Sequence, residues 1–224
     1  MLKNEEGKIR GVVFDLDGTL IDSSKAIIES LFSAIYSNGI EPAITVNDSH
    51  FFMGKNLKET LDILIPGAVQ CLKDKVARCY VDHYYDNQIS NAMLFPEVKK
   101  TLDRLKSKGL KLAVATAKHS FCAKAELEVT KVAHYFDSIR GTDEGIPSKP
   151  NPDLLFEICE KFQLTPKDVL MVGDTDRDVI FARNAGCISC SVTYGNWSRE
   201  MFIEHKVEPD FYINRFDQIL DHVV

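Results

Sequence analysis

Strand-like and helix-like patterns of apolar residues alternate over most of the chain. The strand-like runs are short and almost wholly apolar, which is typical of strands buried on both faces of a sheet. They occupy residues 11–14, 110–115, 168–172 and 187–192, with a weaker run at 210–213. Between them, apolar residues recur at helical spacing, as from Val98 to Leu105 and from Leu154 to Phe162. This alternation predicts an α/β fold with a parallel sheet covered by helices.

One long segment interrupts the alternation. Residues 23–91 contain only helix-like repeats, which stop at Gly39 and again at Pro66-Gly67. Such a series of helices is far longer than an ordinary connection between two parallel strands. We therefore predict an α-helical domain, residues 22–92, inserted into a core formed by residues 1–21 and 93–224. Because it follows the first strand, this insert would cover the end of that strand like a lid.

The charge balance and the polarity of the chain exclude several classes of partner. The 224 residues include 27 Lys and Arg against 33 Asp and Glu, a net charge of −6. Nucleic-acid binders favour a basic surface, so we expect no nucleic-acid partner. No window is long and apolar enough to span a membrane, and residues 1–6, MLKNEE, are polar. We expect neither a secretory signal nor a membrane partner, and a cytoplasmic location.

The six cysteines are expected to be reduced thiols in the core. Cys187 and Cys190 form a C-x-x-C pattern, but they lie in a strand-like run, where residues three apart point to opposite faces. There is also no second cysteine pair to complete a zinc site. Packing is therefore the favoured interpretation, and reduced thiols are typical of a cytosolic protein.

The strongest chemical signal is residues 13–20, VFDLDGTL. Asp15 and Asp17 come directly after an apolar strand and project to the same side, and Gly18 is suited to a tight turn. In open parallel sheets, reactive groups collect at the carboxyl ends of the strands. Two carboxylates placed together repel each other, so either one takes a proton or a cation neutralises them. A polar turn without chemistry would use the same residue types.

Three further motifs follow in order. Thr116 ends the second predicted strand, and Lys149 precedes Pro150 at a predicted helix start. Residues 169–178, VLMVGDTDRD, form an apolar strand followed by Asp174 and Asp178. In this order the four motifs resemble those of the haloacid dehalogenase superfamily, and the resemblance covers essentially the whole chain. It implies a Rossmann-like core, a small α-helical cap, and a hydrolase that forms an aspartyl-enzyme intermediate.

The resemblance implies Mg²⁺-dependent hydrolysis of a phosphate monoester at the first motif. Asp15 would be the nucleophile and a magnesium ligand. Asp17 would be the general acid and then the general base, and its backbone carbonyl would also bind the metal. Asp174 would supply the third protein ligand. Hard oxygen ligands and the lack of a His/Cys cluster favour magnesium over zinc.

The remaining motif residues would bind phosphate or support those that do. Lys149 would offset the charge of Asp15 and of the phosphoryl group. The Thr116 hydroxyl and backbone N–H groups around Leu16, Ala117 and the Gly18 turn would donate to phosphate oxygens. Asp178 would not bind the metal directly but would hold Lys149 or a metal-bound water.

Two residues argue against particular reactions of this family, but they do not identify the substrate. Asp17 argues against the dehalogenase branch of the family, and Ile27 stands where the sugar-phosphate mutases carry histidine. The segment 50–61, with Gly54 followed shortly by Leu57, resembles the substrate loop of phosphoglycolate phosphatase-like members.

Several contacts and functions stay open. The sequence has Ala117 where many relatives carry Asn, so Lys118 or His119 is a candidate substitute contact. Lys55 and Lys58 are candidates for contact with an anionic leaving group, but the favoured interpretation is that they are solvent-facing helix lysines. We expect a phosphatase for a small phosphorylated metabolite, with phosphoglycolate as the first candidate. A sugar-phosphate mutase, a pyrophosphatase or a catalytically idle phosphate-binding protein are the alternatives, and the oligomeric state is left open.

Overall fold

The computed structural model describes residues 9–142 and 147–223. The polar start at residues 1–6 lies outside these ranges. Six parallel strands form one sheet in the order β3-β2-β1-β4-β5-β6. The strands are β1 (Gly11–Phe14), β2 (Lys111–Ala115), β3 (Ser138–Arg140), β4 (Val169–Gly173), β5 (Ile188–Val192) and β6 (Phe211–Ile213).

Helices flank the sheet and also make up the long segment after β1. They are α1 (Ser24–Ser37), α2 (Leu57–Leu64), α3 (Gln70–Asn87), α4 (Val98–Ser107), α5 (Ser120–Val129), α6 (Asp153–Phe162), α7 (Asp176–Ala185) and α8 (Arg199–Glu204). The predicted α/β class with a Rossmann-like parallel sheet is therefore confirmed. None of the helices in the described ranges combines the length and the apolar character that a membrane crossing requires.

Both faces of the sheet are buried, which explains the dense apolar strands. Along β1, Val12 and Phe14 belong to one hydrophobic cluster and Val13 to another, so the strand contributes to a core on each side. Cys187 and Cys190 also belong to these two different clusters. All six cysteines are free thiols, but only four of them are buried. Cys71 is exposed and Cys79 is half-buried, so the prediction of core thiols is wrong for these two.

The segment 22–92 consists of helices and turns, and it has its own apolar cluster. That cluster draws only on residues between 27 and 80, including Leu31, Ile35, Phe52 and Leu64. The chain enters and leaves the segment side by side, because the Asp22 N–H donates to the Met93 carbonyl at 2.9 Å. A segment with a separate core and two adjacent connections is suited to act as an inserted unit.

Candidate active site

The first, second and fourth motifs meet at one edge of the sheet. β1 lies between β2 and β4, and Phe14 is in register with both Val114 and Val172. Asp15, Thr116 and Asp174 each lie just past the end of their strands. The three side chains therefore come from neighbouring strand ends, where the strand order reverses and ligands bind in sheets of this kind.

Lys149 connects two of the carboxylates. Its Nζ lies 2.8 Å from Oδ1 of Asp15 and 2.6 Å from Oδ1 of Asp178, and all three side chains are buried. Burial alone would lower the pKa of Lys149, but the two carboxylates raise it. The third motif therefore supplies a permanent positive charge beside Asp15.

Asp178 is fully engaged by protein groups. Its Oδ1 accepts from Lys149, and its Oδ2 accepts from the N–H of Asp174 at 3.2 Å and from the N–H and hydroxyl of Thr175 at 3.1 and 3.0 Å. Asp178 is also the third residue of α7, where a carboxylate satisfies the free N–H groups of the helix start. These bonds suit a residue that orients Lys149 and the Asp174 backbone.

Asp174 is held on one oxygen only. Its Oδ2 accepts from the backbone N–H of Asn196 at 2.7 Å and from the Asn196 amide at 2.6 Å. Its Oδ1 is buried and has no hydrogen-bond partner in the described part of the chain. Gly18 makes room for this carboxylate, since a Cβ there would lie 2.1 Å from Oδ2 of Asp174, and its φ of +78° favours glycine as well.

The buried acidic cluster has the composition of a cation site. Oxygens of Asp15, Asp174 and Asp178 lie within 4.8 Å of one another. Together with Lys149 they carry a formal charge of −2, which one divalent cation balances. Burial raises the pKa of Asp15 to about 7, although Lys149 acts in the opposite direction. Burial, together with the Asp15 and Asp178 charges, raises the pKa of Asp174 well above its ordinary value. A cation bound by the free oxygen of Asp174 would relieve this repulsion.

We expect Asp174→Asn to stabilise the metal-free protein at neutral pH. A carboxyl group whose pKa is raised on folding stabilises the fold while it is protonated, and this contribution is lost as the pH rises. For Asp15 the loss falls between its ordinary value of 3.8 and about 7. An amide at position 174 adds no charge to the cluster and can still accept from Asn196.

Thermal unfolding in EDTA at several pH values tests this expectation. The midpoint of Asp174→Asn should exceed that of the wild type by roughly 3 °C or more at pH 8, about the shift that 1 kcal/mol gives a chain of this size. The difference should shrink towards pH 4. Asp22→Asn, at an exposed position in the same chain, is the matched control. A destabilised Asp174→Asn at pH 8 would contradict the electrostatic description of the cluster.

Asp17 lies beside the cluster and is held by a different set of donors. Its Oδ1 accepts from the Ser23 hydroxyl at 2.5 Å and from Lys118 Nζ at 2.7 Å. Unlike Asp15, it does not contact Lys149 in the described structure. The two aspartates of the first motif are thus in separate hydrogen-bond networks.

A cavity of about 410 Å³ opens beside Asp15 and Asp17. Thr116 and Ala117 line it, whereas Lys149, Asp174 and Asp178 do not. The segment 22–92 supplies the opposite wall, with Ile27, Leu31, Phe52, Met53, Gly54, Lys55, Leu57, Lys58, Tyr80 and Val81. The cavity therefore brings most of the predicted substrate contacts to one place, with Lys118 and His119 also on its wall.

Gly54 brings the predicted substrate loop close to the core. Its φ is +80°, and a Cβ at this position would lie 2.8 Å from the Thr175 hydroxyl. Asn56 donates to the Ser148 hydroxyl at 2.8 Å, one residue before Lys149. Glu59 is paired with Arg177 at 3.1 Å. The loop therefore closes over the fourth motif as well as over the cavity.

Not every predicted phosphate donor is available. The Gly18 N–H donates to the Ile21 carbonyl at 2.9 Å, so this part of the predicted anion site is already used within the turn. The Thr116 hydroxyl accepts from the Lys118 N–H at 3.2 Å and keeps its own proton for another acceptor.

Sequence reasoning missed four residues that contact the predicted site. Asn196 follows the end of β5, where a strand-end search would have found it. Ser23 lies in the connection into α1 and contacts Asp17. Glu126 occupies a buried position of α5 between apolar residues, and an acid at such a position is a usable signal. Tyr84 lies within α3, and no motif of the sequence distinguishes it from the other tyrosines of that helix.

Comparison with known proteins relates this geometry to one family. Residues 12–192 match the model of the haloacid dehalogenase-like hydrolase family. The phosphoglycolate phosphatase of Vibrio vulnificus is 33% identical over 225 residues, covering 97% of each chain. The phosphoglycolate phosphatase of Escherichia coli K12 is 34% identical over 215 residues, covering 86% of this chain and 84% of the relative.

Solved structures give the same relationship. A protein of Haemophilus somnus, described as a predicted phosphoglycolate phosphatase, superposes with a TM-score of 0.83 at 28% identity, covering 95% of this chain and 97% of that one. A haloacid dehalogenase-like hydrolase of Streptococcus pneumoniae gives a TM-score of 0.84 at 25% identity, covering 96% and 99%.

Proposed function

The chain is a phosphatase of the haloacid dehalogenase-like hydrolase family, and we propose that its substrate is a small phosphate monoester. In this proposal the phosphoryl group is transferred first to Asp15, as an aspartyl-phosphate intermediate, and then to water. The observation that carries the proposal is the position of the Asp15 carboxylate, which lines the cavity and pairs with buried Lys149 at 2.8 Å. A carboxylate held in this way is oriented for attack on phosphorus.

The reaction takes place in two transfers. In the first, an Asp15 oxygen attacks phosphorus, the bond from phosphorus to the ester oxygen breaks, and Asp17 donates a proton to the leaving oxygen. In the second, water attacks phosphorus, the bond between phosphorus and the Asp15 oxygen breaks, and Asp17 accepts a proton from that water. Inorganic phosphate then leaves, and the Asp15 carboxylate is regenerated. The Thr116 hydroxyl and the Ala117 N–H, both at the cavity wall, would hold the phosphoryl oxygens.

Mg²⁺ is the cation we propose for the acidic cluster. Asp15, the backbone carbonyl of Asp17 and the free oxygen of Asp174 would hold it, while Asp178 orients Lys149. The unpartnered Asp174 Oδ1, the formal charge of −2 and the all-oxygen donor set support this assignment. When bound, the ion would reduce the repulsion between the anionic nucleophile and the anionic phosphate.

Phosphoglycolate is the first substrate to test. The relatives from Vibrio vulnificus and Escherichia coli, at 33% and 34% identity, are phosphoglycolate phosphatases. Gly54 and Lys55 of the segment 22–92 line the cavity opposite Asp15, so we propose that this segment acts as a cap and that Lys55 meets the carboxylate of the leaving group. The remaining residues, 1–21 and 93–224, form the catalytic core in this proposal.

A cytoplasmic location is part of the same proposal. The six free thiols support it, because disulfides are rare in a reducing compartment. Small phosphorylated metabolites are also found there.

The test is release of phosphate from a panel of phosphorylated compounds, with Mg²⁺ and with EDTA. We expect Mg²⁺-dependent turnover of monoesters, with phosphoglycolate the best substrate. A preference for pyrophosphate would favour the pyrophosphatase alternative, and an isomerised sugar phosphate would favour a mutase. Phosphate binding without turnover of any compound would favour an idle binding protein. Lys124→Met, an exposed substitution on α5, should match the wild type.

A further inference from the structure

Lys118 joins the core and the segment 22–92 through a buried network. Its side chain is 9% exposed, and its Nζ lies 2.7 Å from Asp17 Oδ1, 2.7 Å from Glu126 Oε2 and 3.0 Å from the Tyr84 hydroxyl. Tyr84 itself donates to Glu126 at 2.5 Å. Lys118 follows β2, Glu126 belongs to α5, and Tyr84 belongs to α3 of the segment 22–92.

This network leaves Lys118 no donor for a substrate. An ammonium group has three N–H bonds, and here three residues accept them. Its single positive charge is also shared between two carboxylates, those of Asp17 and Glu126. Lys118 lies at the cavity wall, but its hydrogen bonds are all directed to protein groups.

Glu126 is the reason that Lys118 stays in place. Its side chain is 1% exposed, and a buried carboxylate is strongly destabilising unless it is paired and hydrogen-bonded. Both of its oxygens accept from Lys118, at 2.8 and 2.7 Å. Moving Lys118 towards the cavity would break these bonds and leave Glu126 unpaired.

Lys118 in turn fixes one oxygen of Asp17. Oδ1 of Asp17 accepts from both Lys118 and Ser23, so rotating the carboxylate would cost two hydrogen bonds. The second oxygen has no hydrogen bond to the described residues and is left for proton transfer. The carboxylate is thereby held in one orientation at the cavity wall.

We propose that Lys118 is a positioning residue for the general acid Asp17, and that Glu126 and Tyr84 hold Lys118 in place. The proposal rests on the proposed phosphatase function. Since Tyr84 comes from the segment 22–92, the orientation of Asp17 depends on that segment being seated on α5. Protonation of the leaving group is thus coupled to closure of the cavity.

The test compares two classes of ester. An alkyl phosphate such as phosphoglycolate needs a proton on its leaving oxygen, whereas p-nitrophenyl phosphate releases a stable anion. We expect Lys118→Met to lower kcat/KM for the alkyl ester by about 10²-fold, at the lower end of general acid catalysis. For p-nitrophenyl phosphate we expect little change in kcat/KM, because this parameter reports formation of the phosphoenzyme and the leaving group needs no proton. The kcat values are not compared, since hydrolysis of the phosphoenzyme also uses Asp17 and is common to both esters. Tyr84→Phe should give a loss of roughly fivefold with the same ester dependence, as expected for one hydrogen bond.

Exposed neighbours of the same residue types provide matched controls. Lys124→Met and Glu128→Gln lie on α5, and Tyr85→Phe lies beside Tyr84 on α3. All three should behave as the wild type with both esters.

A double variant serves if Lys118→Met does not fold. Because Lys118→Met leaves Glu126 buried without its cation, Lys118→Met/Glu126→Gln removes both charges and allows the same comparison of esters.

The outcomes separate the positioning role from its alternatives. Equal losses of kcat/KM with both esters would overturn it in favour of a structural role. A raised KM for phosphoglycolate at unchanged kcat would overturn it in favour of a direct substrate contact. If the wild type shows no Mg²⁺-dependent turnover of either ester, the proposed function itself fails. Turnover by the wild type with an ester-independent loss of kcat/KM in the variants would remove the positioning role alone.

Discussion

Asp15→Asn is expected to abolish turnover, with kcat at least about 10⁴-fold below that of the wild type, as is common when a nucleophile is removed. The amide keeps the size of the carboxylate, and its oxygen can still accept from Lys149, which lies 2.8 Å from Asp15 in the wild type. However, an amide is a poor nucleophile and cannot form an acyl phosphate by the same transfer. The fold should therefore persist while the chemistry is lost.

Phosphate release from phosphoglycolate and p-nitrophenyl phosphate measures this effect. Turnover of both substrates should be lost to the same extent, because in each case Asp15 accepts the phosphoryl group. Asp22→Asn, which is exposed and seven residues further along the chain, is the matched control and should be fully active. Retention of a tenth of the wild-type rate by Asp15→Asn would mean that another group receives the phosphoryl group.

Asp17→Asn is the second change with a large expected effect. We expect an essentially normal fold and a loss of kcat/KM of about 10²- to 10⁴-fold for alkyl phosphates, the usual range for general acid–base catalysis. The oxygen of Asn can accept the bonds that Ser23 and Lys118 now donate to Asp17. It carries no proton that can be transferred to the leaving oxygen.

The loss in Asp17→Asn should depend on the ester and on the step that is measured. With p-nitrophenyl phosphate, formation of the phosphoenzyme should be nearly normal, because its leaving group needs no proton. Hydrolysis of the phosphoenzyme should remain slow, because Asp17 also activates the water. Stopped-flow release of p-nitrophenolate should therefore show a burst followed by slow turnover. A variant with near-normal steady-state rates on phosphoglycolate would contradict the acid–base role.

The strands could be predicted because their burial is unusually uniform. A strand buried on both faces, such as β1, is apolar at every position and stands out from the helices on either side. β3 was missed because it has only three residues, SIR, and ends in an arginine that pairs with Glu157. In the structure this edge strand is defined by its pairing with β2, where Val114 is in register with Ile139. The sequence alone does not show that pairing.

The groups that surround the reacting residues could be predicted only in part. Asp15, Thr116 and Asp174 follow strands, and parallel strand ends converge whatever the length of chain between them. Glu126 and Tyr84 meet Lys118 because α3 packs near α5, and the sequence does not encode that contact in any local motif. The same is true of Asn196, whose donors to Asp174 depend on the neighbouring strands β4 and β5.

The most direct test of the central claim is a rapid acid quench of the wild type during turnover of phosphoglycolate with Mg²⁺, followed by mass spectrometry of the peptides. The proposed mechanism predicts one phosphoryl group on Asp15 and none when EDTA replaces Mg²⁺. A phosphoryl group on a different residue, or its appearance on Asp15 without a divalent cation, would contradict it.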